Sequence, residues 1–257
     1  MKTILGTAAA LAVLSCATAA RAQDTTSLSF TTGVDVSKGD YGTGINTDIL
    51  VAPLSARLKL GDVRITASVP WLRINGASAI VPGDGGPVII DPLAPRTTRN
   101  GLGDVTLGLN WALPQDKLGV GLDLGARFKI PTASASKGLG TGKADVALSA
   151  EISRSFGAVT AFISTGYRFV GSPDTFALDN AFFGSAGLSV SAGKLVLIIS
   201  YDYRQAASPL AQDSQEIFGA LSAPLTERFT LTAYGTGGLS KGAPDYGLGL
   251  MVTVKAF

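Results

Sequence analysis

The stretch that decides the fold is LGVGLDLGARFKI, residues 118–130. Its apolar members recur at every second position and comprise Leu118, Val120, Leu122, Leu124, Ala126, Phe128 and Ile130. The positions between them hold glycine or the charged Asp123, Arg127 and Lys129. A period of two places these two sets on opposite faces of a β-strand. The pattern therefore predicts a strand with one apolar face and one polar face.

Similar alternation recurs along the chain and predicts about twelve strands, joined by alternately short and long connections. The short ones include Gly61-Asp62, Phe156 to Ala158 and Ser191 to Lys194, and another turn falls at Pro114 to Lys117. The longest runs from residue 73 to about 102. An even number of antiparallel strands with short turns at one end and long loops at the other is typical of outer-membrane barrels. We expect an all-β, closed antiparallel transmembrane β-barrel with short periplasmic turns and long external loops, because a soluble β-sandwich does not require this alternation of connections.

The N-terminus has the pattern of an export signal. Met1-Lys2 is followed by an apolar run from Ile4 to Leu14 and by Ala20-Arg21-Ala22, which together match a cleavable secretory signal peptide. We expect residues 1–22 to be removed and residues 23–257 to form the barrel in the outer membrane of a Gram-negative bacterium. The single cysteine, Cys16, lies inside this signal; lipidation of Cys16 is the weaker alternative.

The amino-acid composition restricts the partners and the catalytic chemistry that this chain can have. Without the signal, 19 basic side chains balance 19 acidic ones, so the charge gives no indication of a nucleic-acid partner. The sequence contains no histidine, which removes the commonest general base and the usual Ser-His pair. We therefore expect no enzyme activity, no cofactor and no metal, with a Ser-Lys or Asp-Asp arrangement left formally open. The glycines at 101, 103, 247 and 249 do not continue into a nucleotide-binding fingerprint.

Charged residues in the inward phase of the strands are the first candidate site residues. Facing lipid they would be costly, so we expect them to line the lumen: Arg57, Lys59, Arg64, Asp123, Arg127, Lys129, Asp145, Glu151, Arg168, Asp202 and Arg204. They either form paired networks that fill the lumen or line a solute route, and both can hold together. Seven are basic and four acidic, which predicts a mild preference for anions.

Apolar residues are assigned to the same lumen by their phase. The set comprises Phe162, Phe182, Leu188, Val196, Ile198, Phe218 and Tyr234. A simple aqueous porin has a polar interior, so this set favours hydrophobic solutes. Plugging of the lumen by side chains, or an error in the assigned phase, is the alternative.

Two features concern the strand ends. Aromatic residues are expected at the two membrane interfaces, with Trp71, Phe128, Tyr167, Phe169, Tyr201 and Tyr203 near the outer strand ends and Trp111, Phe156 and Phe229 near the turns.

In the last strand, Thr253 and Lys255 share the phase of Phe257. This conflict predicts an irregular register there, such as a β-bulge.

Four segments resemble a known family. They are residues 58–62 (LKLGD), 68–76 (SVPWLRING), 101–105 (GLGDV) and 166–169 (GYRF). They are similar to strand and turn patterns in a family of outer-membrane transporters named for the meta-cleavage pathway of phenol degradation, distantly related to long-chain fatty acid channels. The resemblance covers nearly the whole mature chain. It implies a pore for small organic, often hydrophobic compounds and gives no catalytic set to carry over.

We therefore expect a porin-like channel or passive transporter for small organic, hydrophobic or aromatic compounds. The alternative is a non-conducting barrel with a structural or surface-interaction role, and a barrel hydrolase is a third possibility. The expected partners are outer-membrane lipid and lipopolysaccharide, a small-molecule solute, and the barrel-assembly machinery, which would bind the final strand ending in Phe257.

Overall fold

A computed structural model describes residues 26–77, 80–81, 88–89 and 95–257. The predicted signal peptide and its cleavage site lie outside these residues. The described strands are β1 (Ser27–Gly39), β2 (Thr47–Leu60), β3 (Val63–Ala77), β4 (Ile80–Val81), β5 (Val88–Ile89), β6 (Arg96–Leu102), β7 (Val105–Leu113), β8 (Gly121–Ile130), β9 (Asp145–Phe156), β10 (Val159–Phe169), β11 (Ala181–Ala192), β12 (Leu195–Arg204), β13 (Ser214–Pro224), β14 (Phe229–Gly238) and β15 (Tyr246–Lys255). Two short helices accompany them, α1 (Gln115–Leu118) and a 3-10 helix (Ala135–Lys137).

The strands close into an antiparallel barrel. From β7 to β15 each strand pairs with the next one in sequence, β1 pairs with β2, and β2 pairs with β3. Because β1 also pairs with β15, the sheet has no open seam between its first and last strands. Strands β6 and β7 both pair with β3 and act as two halves of one barrel strand. The barrel is thus twelve-stranded, as predicted. Strands β4 and β5 form a separate two-stranded sheet.

A β-bulge separates β6 from β7. The pairs Trp71↔Leu102 and Ser68↔Thr106 differ in register by one residue, so Gly103 and Asp104 together lie opposite Pro70. Proline has no backbone N–H to give to the sheet, and bulges are among the few places where a strand tolerates it. The Pro70 carbonyl instead accepts the Gly103 N–H at 2.8 Å.

The connection predicted from residue 73 to 102 was wrong at both ends. Strand β3 continues to Ala77, and β6 pairs with it from Arg96 onwards. This leaves a connection between residues 77 and 96, most of which lies outside the described residues.

Two other local predictions need correction. Leu118, placed at the start of a strand, belongs to α1, and β8 begins at Gly121. The irregular register expected in the last strand is also wrong within β15, because its pairing with both β1 and β14 runs without interruption. The bulge lies at Pro70 instead.

The two faces of the sheet differ as a membrane barrel requires. Large apolar side chains are exposed at alternate positions on the outer face of the strands, including Leu109, Leu148, Ile163, Leu197 and Leu250. The predicted interfacial aromatics share that face: Trp71, Trp111, Phe128, Phe156, Phe169 and Phe229 are all exposed. Among the described residues, no helix has the length and apolarity needed to cross a bilayer.

Candidate functional site: the barrel lumen

The inner face of the barrel carries the candidate site. Residues paired across an antiparallel sheet point to the same side, so the cross-strand register assigns every inward position once a few buried ones are known. All eleven predicted charged residues, together with Phe162 and Phe218, fall on this inner face. The register also shows how the charges are arranged relative to one another.

Acidic residues are aligned with acidic residues. Asp123 pairs with Glu151, and Asp202 pairs with Glu216. Two serines, Ser164 and Ser185, link these pairs into one continuous row across the wall. We call this the acidic row. Like charges directly opposite each other destabilise a sheet, so packing alone does not account for this alignment.

Basic residues form a second set of rows. Lys59 lies directly opposite Arg64. Arg57, Arg127 and Arg168 share one register row, linked through small or neutral residues. We call Arg57, Arg127 and Arg168 the arginine row; no carboxylate shares its positions from β2 to β10. The lumen therefore has separate bands of opposite charge.

Ion pairs between the bands offset part of the repulsion. Arg64 forms an ion pair with Asp123, whose other oxygen accepts a 3.0 Å hydrogen bond from the Asn110 side chain. Arg204 forms an ion pair with Glu216, which also accepts a 2.8 Å hydrogen bond from the Ser214 hydroxyl. Charge-assisted hydrogen bonds of this kind are stronger than neutral ones, so they fix the two bands relative to each other.

Lys129 forms a separate buried cluster. Its side chain is 1% exposed, with Nζ 2.9 Å from Asp145 and 3.6 Å from Asp104. It also donates to the Thr141 hydroxyl at 3.1 Å. Asp104 is the residue that the bulge at Pro70 re-aims, and its carboxylate accepts the Ala133 N–H at 2.9 Å. Lys129 and Asp145, which we predicted to line the lumen, are thus sealed from solvent and anchor the β8–β9 connection.

Apolar residues fill the opposite part of the lumen. The lumenal apolar cluster comprises Phe162, Ile198, Phe218, Ala220, Tyr234 and Met251, flanked by Val196. The rings of Phe218 and Tyr234 lie 5.8 Å apart. Tyr234 donates its hydroxyl proton to Asp35 at 2.8 Å, and Gly249, directly opposite Tyr234, leaves room for its ring.

The predicted apolar set was wrong at two positions. Phe182 and Leu188 lie on the outer face, 49% and 45% exposed. Phe182 instead contacts the ring of Tyr167, within the interfacial aromatics. The register error was a single residue, which in a strand moves a side chain to the other face.

The lumen consequently has two unlike sides. Strands β10 and β12–β15 contribute the buried apolar cluster together with buried Arg168, Asp202, Arg204 and Glu216. Strands β2, β3, β8 and β9 contribute charged side chains that keep part of their surface accessible, namely Arg57, Lys59, Arg64, Asp123, Arg127 and Glu151. A solute in the lumen would meet an apolar wall on one side and a hydrated, charged wall on the other.

A second apolar cluster lies near the external end. Tyr41, from the β1–β2 connection, packs with Ile49, Val51, Leu72, Ile74, Ala77, Ala133 and Leu139. We call it the cap cluster. Tyr41 is 1% exposed and has φ 55°, an uncommon backbone conformation for a bulky residue that surrounding contacts must hold. Residues of two external connections thus pack onto the inner wall of β2 and β3.

A cavity of about 950 Å³ lies beside the cap cluster. Its lining includes Thr97, Arg99 and Asn100 of β6, Lys137 and Gly138 after β8, and Phe176 after β10. Its lining includes two basic side chains, Arg99 and Lys137, and it forms a vestibule at the external end of the barrel.

Sequence reasoning missed two lumenal carboxylates. Asp35 and Glu216 are 3% and 2% exposed and face inward. Asp35 alternates with apolar residues in β1, so its phase was available from the sequence. Glu216 lies near the start of β13, where the strand boundary was uncertain. Adding these two to the predicted set gives seven basic and six acidic members, and two further basic residues that were not predicted, Arg99 and Lys255, also lie in the inward phase.

Comparison with known proteins identifies the family. A family model described as "Putative MetA-pathway of phenol degradation" matches residues 17–256. The chain belongs to this family. No curated protein sequence matches it.

Solved structures share the fold at low sequence identity. The COG4313 outer membrane channel from Pseudomonas putida F1 superposes with a TM-score of 0.67 at 14% identity, over 91% of this chain and 97% of that one. The β domain of the Bordetella autotransporter BrkA gives 0.52 at 12%, over 90% and 99%. The translocator domain of NalP from Neisseria meningitidis gives 0.51 at 12%, over 98% and 96%. The fold and the family together place this member in the bacterial outer membrane.

Proposed function

We propose that the protein is a passive outer-membrane channel for small organic compounds, with a preference for hydrophobic or aromatic ones. The observation that carries this proposal is the two-sided lumen. A polar lumen is typical of aqueous porins, whereas here Phe162, Phe218 and Tyr234 are buried inside the barrel. The COG4313 channel, which shares this fold, supports the assignment.

The two walls suit a small aromatic solute. Its ring would displace water from apolar surface of the lumenal apolar cluster, which contributes about 25 cal/mol for each Å² buried. Its polar group, or the water around it, would face the accessible charges of β2, β3, β8 and β9. Because the apolar side chains already pack against one another, passage requires them to move apart.

The cap cluster favours the alternative that the resting barrel does not conduct. Tyr41 and Leu139 pack against inner-wall residues of β2 and β3 near the external end. A barrel held permanently in this state would serve a structural or surface-interaction role. Single-channel recordings in planar bilayers separate the two, because a permanently closed barrel gives no conductance steps.

The decisive experiment measures uptake. Porin-depleted cells with intact lipopolysaccharide would express the wild-type protein, Phe218→Ala, or the matched control Phe229→Ala, whose ring is on the outer face. We expect wild-type cells to take up labelled toluene faster than cells without the protein, and Phe218→Ala to increase the rate several-fold. Phe229→Ala should match the wild type. Equal uptake with and without the protein, or equally fast uptake of labelled maltose, would contradict the proposal.

We also propose that the protein has no catalytic role. The sequence has no histidine, and the proteins compared above are a channel and two autotransporter domains. A hydrolase would have to turn over a lipid or ester and lose that activity when a lumenal Ser, Asp or Lys is changed.

Assembly partners follow from the same proposal. Strand β15 with Phe257 would be the segment that the barrel-assembly machinery recognises, and Phe257 is exposed at the periplasmic end. The apolar outer face would contact membrane lipid, with lipopolysaccharide in the outer leaflet.

A further inference from the structure

The strands β1, β2 and β3 are taller than a bilayer requires. They contain 13, 14 and 15 residues, whereas about 9–11 residues suffice for a tilted transmembrane strand. Counted upward from the turn at Gly61-Asp62, ten residues of β3 end at Leu72. Arg73 and the residues beyond it therefore lie at the depth of the outer headgroups.

A polar patch occupies the outer face of these strand extensions. Lys38, Asp48, Asn75 and Thr98 form one register row across β1, β2, β3 and β6. Arg73 and Asn100 lie one row below, beside Leu50. Arg96 lies one row above, opposite Ala77, and its side chain contacts Asp48 and Asn75 of the first row. We call Lys38, Asp48, Arg73, Asn75 and Arg96 the outer patch.

The outer patch has an excess of positive charge. Arg96 lies 3.1 Å from Asp48 and donates a 3.0 Å hydrogen bond to Asn75, and Lys38 lies 3.9 Å from Asp48. The outer patch thus holds three cations and one carboxylate, which pairs with Lys38 and Arg96; within the described residues Arg73 has no carboxylate within 4.0 Å. These ion pairs remain nearly half exposed, so the cations are accessible to a further anion.

Apolar surface lies directly beneath the outer patch. The next row toward the periplasm holds Ala52, Trp71 and Leu102, and Trp71 and Leu102 are exposed on the outer face. Tyr246 is paired with Lys38 on the same face. Toward the external end, the exposed side chains of this surface therefore change from aliphatic to aromatic and then to cationic and amide, within about two rows.

We propose that the outer patch binds the phosphorylated headgroup of an outer-leaflet glycolipid, the lipid A part of lipopolysaccharide. Its phosphate would lie between Arg73, Arg96 and Lys38. Its sugar would meet Asn75, Thr98 and Asn100, and its acyl chains would cover Trp71 and Leu102. Arginine suits this role because its planar guanidinium matches phosphate in a bidentate arrangement. This proposed site requires the protein to be in the outer membrane but does not require it to transport a solute.

The test compares lipid binding by purified, delipidated protein in detergent, measured by native mass spectrometry. The variants are Arg73→Gln with Arg96→Gln, and a control of equal charge change, Arg154→Gln with Arg228→Gln. Both control arginines are exposed near the periplasmic turns. The probes are bisphosphorylated lipid A, lipid A stripped of its phosphates, and inorganic phosphate.

We expect the outer-patch double variant to bind bisphosphorylated lipid A about 10- to 30-fold more weakly, since each cation near a lipid headgroup contributes about 1 kcal/mol. The control should bind like the wild type, and removal of the phosphates should reduce wild-type binding to a similar degree. Equal loss in both double variants, or tight binding of phosphate-free lipid A, would overturn the proposal. Full displacement of the lipid by inorganic phosphate would show an ion site instead. A folded-barrel shift on an unheated gel checks that each variant has folded, and conductance tests the proposed channel separately.

Discussion

At the residue scale, Lys129 shows how burial changes the role of a charged side chain. Its phase resembles that of Arg127, yet its Nζ is enclosed by Asp104, Asp145 and Thr141. Removing one partner of a buried ion pair leaves an uncompensated charge. The cluster therefore contributes to stability and to the position of the β8–β9 connection, and it does not line an open route.

We predict that Lys129→Met lowers the free energy of unfolding by about 3–5 kcal/mol, because Asp104 and Asp145 are left buried without a cation. Guanidinium unfolding in lipid vesicles measures this. The control is Lys194→Met, an exposed residue in a periplasmic turn, which should change stability by less than about 0.5 kcal/mol. Adding Asp104→Asn and Asp145→Asn to Lys129→Met should restore part of the loss, and a single variant as stable as the wild type would contradict this account.

Sequence alternation placed most inward side chains because burial and period-two patterning agree along a single strand. It located Phe162 and Phe218 on the inner face. It failed for Phe182 and Leu188, although the serines at 185, 189 and 191 gave the polar contrast from which their outward phase could have been read. The adjacent Phe182 and Phe183, which put one ring on each face, obscured that contrast at the start of β11. It could not show that Lys129 is sealed, because the carboxylates and hydroxyl around it come from three separate segments.

At the scale of elements, cross-strand register creates features that no strand contains alone. Arg57, Arg127 and Arg168 lie on three separate strands and become a row only through pairing. Fixed charges beside a water-filled path set ion preference. Since the acidic members are largely gathered in another row, the arginine row is the basis on which we retain the prediction of a mild anion preference.

We predict that Arg57→Gln with Arg127→Gln shifts the reversal potential toward cations in bilayer recordings under a salt gradient. Both side chains are partly accessible in the lumen, so the change removes two cations beside the ion path. Lys129 is left intact because it is sealed. The control, Arg154→Gln, changes an exposed arginine near the periplasmic turn between β9 and β10, and unchanged selectivity in the double variant would show that the arginine row does not line the path.

The elements themselves were largely predictable, but their ends were not. The hairpin of β2 and β3 follows from alternation and from Gly61, whose φ of 58° suits a tight turn. The upper part of β3 contains Asn75 and Gly76 and has little strand propensity. It is a strand because β2 and β6 pair with it on both sides, which is tertiary information.

At the scale of the whole molecule, the outer surface determines how the protein behaves in solution. Exposed apolar side chains form a band around the barrel, far more than a soluble monomer shows in one patch. We predict that the mature protein fractionates with membranes, requires detergent for extraction and migrates faster on gels when unheated. Recovery of a water-soluble monomer from periplasmic extract would contradict the membrane barrel.

The seam between β1 and β15 has a consequence for folding kinetics. Thr31 and Thr253, separated by 222 positions, share a 2.8 Å hydrogen bond between their hydroxyls, so the cylinder is completed by highly non-local contacts. Loop-closure entropy grows only logarithmically with length, but non-local pairing slows the search. Until β1 and β15 pair, the folding sheet has two edge strands with unpaired backbone N–H and C=O groups, which can pair with another chain. A chain truncated before β15 would keep both edges and would be prone to oligomerise through them.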